Sequence, residues 1–252
     1  MILLLDIGNT NTHVGLANDQ RVLRQTNIPT AKWFGGNAAA LVKKFAGAKK
    51  INGVVLCSVV PRATPRVRKA ARTLWNLDVL ELSARTLRGV GIDYPKPGRI
   101  GADRLANALA AKVHFGTPVM VVDFGTAVTF DIVDRAGNYV GGIIAPGLAA
   151  MTDYLHEKTA LLPKIKIVEP KNIIGKSTEE AMLAGAVHGY RGLVRGLIAG
   201  LKKELRAKNL RVVATGGYAG LIAAKMPEIS TVEPVLTLEG LRLAWQTARP
   251  RR

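Results

Sequence analysis

Sulfur, aromatic rings and acidic groups are scarce in this chain, and each scarcity removes a class of protein. Only one cysteine, Cys57, occurs among 252 residues, which excludes an internal disulfide framework and any multi-cysteine metal site. It lies in VVLCSVV and reads as a core strand thiol, so a reducing cytoplasm is the expected compartment. No apolar run approaches the ~20 residues of a membrane-crossing helix, and no membrane partner is expected. The first residues carry no basic segment and Asp6 interrupts the apolar run, so no signal peptide is expected. His13, His114, His156 and His188 show no metal-ligand spacing. Aromatics make up 5% against 48% hydrophobic residues, which describes an Ala/Val/Leu-rich α/β protein; Trp33, Trp75 and Trp245 read as packing residues in helices.

Acids number 18 against 36 Lys and Arg, a net charge of +18. The excess is spread along the chain, with its densest cluster at Arg62, Arg66, Arg68, Lys69 and Arg72. A basic face can hold nucleic acid. Here no aromatic interleaving or nucleic-acid motif accompanies it, so nucleic acid is not the expected partner. Two familiar nucleotide loops are also missing. Gly175-Lys176-Ser177-Thr178 looks like the end of a P-loop, but position 170 is Pro and no apolar strand leads into it. Gly89-Val90-Gly91 lacks the third glycine of a dinucleotide fingerprint.

What is present begins at once. Met1–His13 reads MILLLDIGNTNTH, five apolar residues feeding into Asp6 and then a small polar turn. Gly8 lets backbone approach an anion while amides and hydroxyls point at it. Asp6 repels phosphate and would instead hold a hydrated Mg²⁺, which takes one or two carboxylates plus phosphate oxygens. The pattern returns in PVMVVDFGTAVTFD, with Asp123, Gly125, Thr126 and Thr129. Either copy also reads as an ordinary strand-turn-strand hairpin.

The same plan follows each copy. Strands are expected at Thr12–Asn18 and Val22–Asn27, a helix at Lys32–Phe45, a strand at Gly53–Val60, a helix at Thr64–Trp75 capped by Thr64, and a short strand at Val79–Leu82. Gly89–Gly98 reads as a loop before a helix at Ala102–His114. The second half has strands at Val119–Phe124, Ala127–Val133 and Tyr139–Ala145 and a helix at Leu148–Lys158. A long helix from Ser177 toward Lys208, a strand at Arg211–Ala214, helices at Ala219–Lys225 and Leu238–Thr247, and a frayed tail at 249–252 complete it. The length accommodates two domains of roughly 115–135 residues. The expected division is 1–117 and 118–252, two similar α/β lobes with a cleft between them.

Three further stretches suit chemistry. Gly101-Ala102-Asp103-Arg104 sets a carboxylate beside a guanidinium at a helix start; it reads either as dipole complementation or as a base beside a cation that clamps an acidic substrate. Gly141–Gly147 is a strand running into a helix N-terminus, suited to close packing or to nucleotide or substrate binding. Ala214-Thr215-Gly216-Gly217 ends a Val-rich strand where an adenine could lie against bare backbone.

In this order, Asp6–Thr10, Ser58–Arg62, Gly101–Arg104, Asp123–Ala127 with Thr129 and Asp131, Gly141–Gly147 and Ala214–Gly217 resemble the type III pantothenate kinase family. That family belongs to the actin-like ATPase superfamily, with duplicated ribonuclease-H-like lobes. The resemblance implies ATP-dependent phosphorylation of the pantothenate hydroxyl, the first step toward coenzyme A. It implies that Asp6, Ile7, Gly8, Asn9, Thr10, Asn11, Thr12, His13 and Thr126 contact ATP phosphates, with Gly216 and Gly217 near the nucleoside. Asp103 would accept a proton, and Tyr94, Gly101, Ala102, Asp103, Arg104 and Thr178 would bind pantothenate. Asp123 would hold potassium or ammonium, Mg²⁺ would accompany ATP near Asp6, and the protein would be a homodimer. Arg104 could serve either pantothenate's carboxylate or the developing phosphate charge. The strong basicity keeps one alternative, since some relatives of the family are described as transcriptional accessory factors.

Overall fold

The computed structural model describes residues 1–248, so the expectation for 249–252 lies outside the described residues. Its first sheet contains β1 (Ile2–Ile7), β2 (Asn11–Ala17), β3 (Val22–Pro29), β4 (Gly53–Ser58) and β5 (Val79–Glu81) in the order β3-β2-β1-β4-β5. β2 is antiparallel to β1 and β3, whereas β1, β4 and β5 run parallel. The central strands are apolar on both sides, as a sheet covered on two faces requires. Leu3, Leu5 and Ile7 point into a core shared with Val54, Leu56, Trp33, Val42 and Val67. That core lies beneath α1 (Ala38–Ala46) and α2 (Thr64–Trp75). Alternation along the strands then sends Leu4, Asp6, Cys57 and His13 to the opposite face.

That opposite face is covered by α3 (Ala102–Phe115) and the last helix, and the two helices pack closely together. Gly240 permits the approach, since a Cβ there would lie 2.0 Å from the Ala106 carbonyl oxygen. Glu239 and Arg242, both nearly buried, pair at 2.7 Å and grip the hairpin between β2 and β3. Glu239 accepts from the Val22 amide and Arg242 donates to the Asp19 carbonyl.

The second sheet repeats the scheme. It follows the order β11-β10-β7-β8-β9-β6, built from β6 (Gly91–Ile92), β7 (Val119–Phe124), β8 (Ala127–Val133), β9 (Asn138–Pro146), β10 (Arg211–Thr215) and β11 (Thr231–Val232). Read from β9 to β11, this is the strand order of the first sheet, with β6 added at its edge. α4 (Leu148–Lys158), α5 (Thr178–Glu204) and α6 (Ala219–Ala223) belong to this half, and α7 (Leu236–Ala248) is the last helix named above. By compactness the chain forms one unit from 1–116, 133–141 and 235–248, and another from 117–132 and 142–234.

Several boundaries differ from expectation for identifiable reasons. The helix expected at Lys32–Phe45 is a 3-10 turn at Thr30–Trp33 followed by α1, because Gly36 adopts φ +87° between them. Thr64 does not cap α2; Ala63 is the N-cap without a side-chain bond, and Thr64 and Pro65 lie inside the first turn. The stretch 89–98, expected to be a loop, contains β6 and the start of a 3-10 turn at Pro97–Arg99. The short β11 has no period long enough to be read.

Within the second unit, Arg191 on α5 is almost fully buried and holds Glu169 through two bonds of 3.0 and 2.7 Å. It also donates to the carbonyls of Leu221 and Ile222, while Lys225 adds a second cation to Glu169 at 2.7 Å. The hydrogen bond from Arg191, and then that from Lys225, lowers the Glu169 carboxyl from 4.5 to about 2. This stabilisation is complete above pH 4.5 and is lost as pH falls through 2. Glu169→Gln should therefore melt roughly 2–6 °C below the parent at pH 7. The gap should narrow toward pH 2, as measured by calorimetry.

Candidate active site

The first unit builds its site at the end of β1. Asp6 is register-paired with His13 on β2 and with Cys57 on β4, so all three side chains share one face. The Cys57 thiol donates to Asp6 Oδ1 at 3.2 Å, and His13 Nδ1 lies 3.9 Å from Oδ2. Burial pushes the Asp6 carboxyl from 3.8 up to about 7; the negative charge of Asp103 adds to this and the Cys57 hydrogen bond opposes it. The same burial, with the two carboxylates nearby, drives the Cys57 thiol well above its usual range and keeps it a donor. Burial also lowers His13, which favours a neutral imidazole.

The turn after Asp6 is braced from behind. The Gly8 amide donates to the Asn11 carbonyl at 3.0 Å, and a Cβ at Gly8 would lie only 3.0 Å from that oxygen. Thr30 ties both ends of the turn, its amide bonding the Thr10 carbonyl at 2.9 Å and its hydroxyl the Gly8 carbonyl at 2.7 Å. The Thr12 hydroxyl is buried against Thr30 at 3.1 Å and the Trp33 indole N–H at 3.1 Å. Of the residues expected to meet phosphate, Ile7 and Thr12 are therefore buried, whereas Asn9, Thr10 and Asn11 are exposed.

Asp103 stands in the first turn of α3, where its Oδ1 accepts from the Arg104 amide at 2.8 Å. Burial raises its carboxyl, while the Arg104 N–H and guanidinium partly offset the rise. Gly101 makes this fold-back possible, because a Cβ there would come within 2.4 Å of Asp103 Oδ1. Gly101, Ala102, Asp103 and Arg104 are all half-buried. Tyr94 is 37% exposed and meets the buried ring of Tyr139 edge-on, with centroids 6.2 Å apart.

The second unit carries a counterpart turn. Asp123 occupies the next-to-last place of β7, as Asp6 does in β1, and is register-paired with Thr215. The Gly125 amide donates to the Ala127 carbonyl at 3.1 Å, echoing Gly8. Thr126 is exposed at the tip, and the Gly147 amide closes on its carbonyl at 3.2 Å. A Cβ at Gly147 would sit 2.3 Å from that oxygen. Gly216, at φ +92°, packs on the same aspartate, where a Cβ would lie 2.5 Å from Asp123 Oδ1. Gly217 is exposed, with open space beside it. Thr129 donates to the buried Asp131 at 3.1 Å, a bond inside the strand. Thr178 is the first residue of α5 and lines an apolar cavity of about 680 Å³ with Met151, Tyr154, Leu155 and Met182.

The structure thus gathers Asp6, the 8–13 turn and Asp103 within one unit, and Asp123, Thr126 and Gly216 within the other. Cys57 was read as core alone; its signal was register, since LLLDI and VVLCS end on adjacent parallel strands with Asp6 opposite Cys57. Residues 2–200 match the family model for type III pantothenate kinase. The chain belongs to the type III pantothenate kinase family. A type III pantothenate kinase of Akkermansia muciniphila is 46% identical over 243 residues, covering 96% of this chain and 97% of its own. One of Methylacidiphilum infernorum is 43% identical over 244 residues, covering 96% and 87%. The structure of MreB 5 of Spiroplasma citri bound to AMPPNP aligns with a TM-score of 0.54 at 14% identity, covering 98% of this chain and 78% of that one. At that identity the likeness shows the fold alone, and it agrees with the expected actin-like, duplicated α/β architecture. The type III pantothenate kinase matches do not favour the accessory-factor alternative.

A carboxyl raised by burial costs stability once ionised. The Asp6 contribution is favourable below pH 3.8 and is lost as pH rises to about 7. In the absence of ATP, Asp6→Asn should match the parent melting temperature near pH 4 and exceed it by several degrees at pH 8. A variant less stable than the parent at pH 8, measured by scanning calorimetry, contradicts the burial account.

Proposed function

We propose that this chain transfers the γ-phosphoryl group of ATP to the hydroxyl of pantothenate, the first step of coenzyme A synthesis. What carries the reading is the near-full-length identity to type III pantothenate kinases, with Asp6, Asp103 and Asp123 all present at their motif positions. Phosphoryl transfer is chiefly positioning and charge neutralisation through a loose transition state. The exposed side chains of Asn9, Thr10 and Asn11, with His13 and Thr126, face the phosphates, and Ile7, Gly8 and Thr12 contribute through the close approach of backbone. Gly216 and Gly217 lie against the nucleoside.

Asp103 orients the substrate hydroxyl and takes its proton late in transfer. Its raised carboxyl is a better base near neutrality than an ordinary aspartate. Tyr94, Gly101, Ala102, Arg104 and Thr178 hold pantothenate, with Arg104 on its carboxylate. Among the described residues no group of three or more His, Cys, Asp or Glu could hold a metal by itself. That suits Mg²⁺, which binds through one or two carboxylates, water and substrate phosphate. Asp6 would hold it, and when bound it neutralises phosphate charge. Asp123, at the end of β7 beside the Gly125 turn, would hold potassium or ammonium.

The partner is a second copy of this chain. Support comes from the apolar cavity at Thr178 and from the exposed Tyr154, Leu161, Ile173 and Ile174 of the same unit. A buried thiol beside Asp6 and the use of ATP suit a reducing cytoplasm.

ADP release should depend on pantothenate and fall when sodium replaces potassium. Asp103→Asn should lower kcat by about 10²–10⁴, and Asp123→Asn should abolish the potassium response. Folded parent protein that releases no pantothenate-dependent ADP overturns the reading, and a monomer in analytical ultracentrifugation removes the dimer.

A further inference from the structure

Tyr139 is among the largest fully buried side chains, yet two residues placed at the substrate converge on its ring. The Arg104 guanidinium carbon lies 5.8 Å from the Tyr139 centroid, and Tyr94 abuts the same ring at 6.2 Å with planes 63° apart. The backbone adds a third tie. β6 and β9 pair in parallel with Ile92 opposite Tyr139, and the Asp93 amide donates to the Tyr139 carbonyl at 2.9 Å. Tyr94 is the next residue, so its approach is fixed by the strand as well as by the ring. Two positions further along β9, Gly141 at φ +122° completes the arrangement. A Cβ there would stand 3.6 Å from Tyr94 Cε2, and a larger side chain would press on the tyrosine.

We propose that Tyr139 is a positioning residue for pantothenate recognition, its ring holding Arg104 and Tyr94 in the orientation that receives the substrate's carboxylate end. This rests on the kinase reading above and goes beyond it by assigning a role to a residue with no expected substrate contact. The physical case is that Arg side chains have many rotamers, and ordering one on binding costs affinity. A guanidinium already attracted to a ring face has fewer states to lose. The T-shaped contact likewise restricts Tyr94. Because the ring acts through its face and edge, phenylalanine should replace it and an aliphatic side chain should not.

The test compares Tyr139→Phe and Tyr139→Leu. Tyr139→Leu should raise the KM for pantothenate about five- to tenfold. Its KM for ATP and its kcat should stay within about twofold, while Tyr139→Phe keeps the parent KM. In an Arg104→Ala, Tyr94→Ala background the Tyr139→Leu change should add little, because its targets are gone. The decisive readout needs no substrate. In parent and Tyr139→Phe spectra, the Arg104 side-chain proton resonances should be shifted upfield by the ring current, and in Tyr139→Leu that shift should vanish. An unshifted Arg104 in the parent, or equal pantothenate KM in folded Leu and parent proteins, overturns the proposal. So does a Phe variant as impaired as Leu. Parent protein inactive on pantothenate refutes the substrate assignment instead, and the positioning claim is then judged by the Arg104 resonances.

Discussion

Everything at the site depends on placing an aspartate at the buried end of a parallel strand. A carboxylate there is costly to desolvate, and a second carboxylate, Asp103, raises the cost further. The fold meets this locally with a thiol donor from the adjoining strand at Asp6, and with a helix N-terminus and the Arg104 guanidinium at Asp103. The result is a pair of acids whose carboxyls are both raised by burial. A bound cation would relieve the negative charge that the protein leaves only partly compensated.

The duplicated architecture follows from the same economy. Each half uses a strand ending in Asp-x-Gly, a glycine-dependent turn and a parallel neighbour carrying small residues. The halves then diverge in what surrounds the aspartate. Asp6 has a thiol and an imidazole, whereas Asp123 has the bare backbone of Gly216 pressed against it.

Much of this was legible in the sequence, for reasons that can be named. Apolar runs of five residues leading into Asp mark β1 and β7, and helix α4 is legible from end to end as Leu148–Lys158. Turn chemistry identified the 8–12 and 125–126 loops, because glycine and small polar residues there have a local cause. What stayed hidden was long-range or local in the wrong way. Nothing in the order of residues tells that Cys57 faces Asp6, that Trp33 reaches Thr12, or that Tyr139 lies under Arg104. Each arises when strands distant in sequence are brought into register or packed under a helix. The start of α1 was misplaced because apolar spacing continued through Gly35 and Gly36, where the backbone does not. Thr64 was misread because a good capping residue lay one position inside a helix that begins with proline in its first turn.

The bracing of the first turn by Thr30 and Trp33 has a consequence for ligand affinity. The loop's shape is fixed from outside by two residues of a neighbouring segment, and Thr12 is turned inward to receive them. Asn9, Thr10 and Asn11 are exposed at the tip, while the Thr10 and Asn11 carbonyls accept the bonds that hold the loop. The conformational entropy of ordering the loop is spent during folding, so a bound state need not lose it again. Preorganisation of this kind separates the side chains that brace the turn, those of Thr12, Thr30 and Trp33, from the side chains left exposed at its tip.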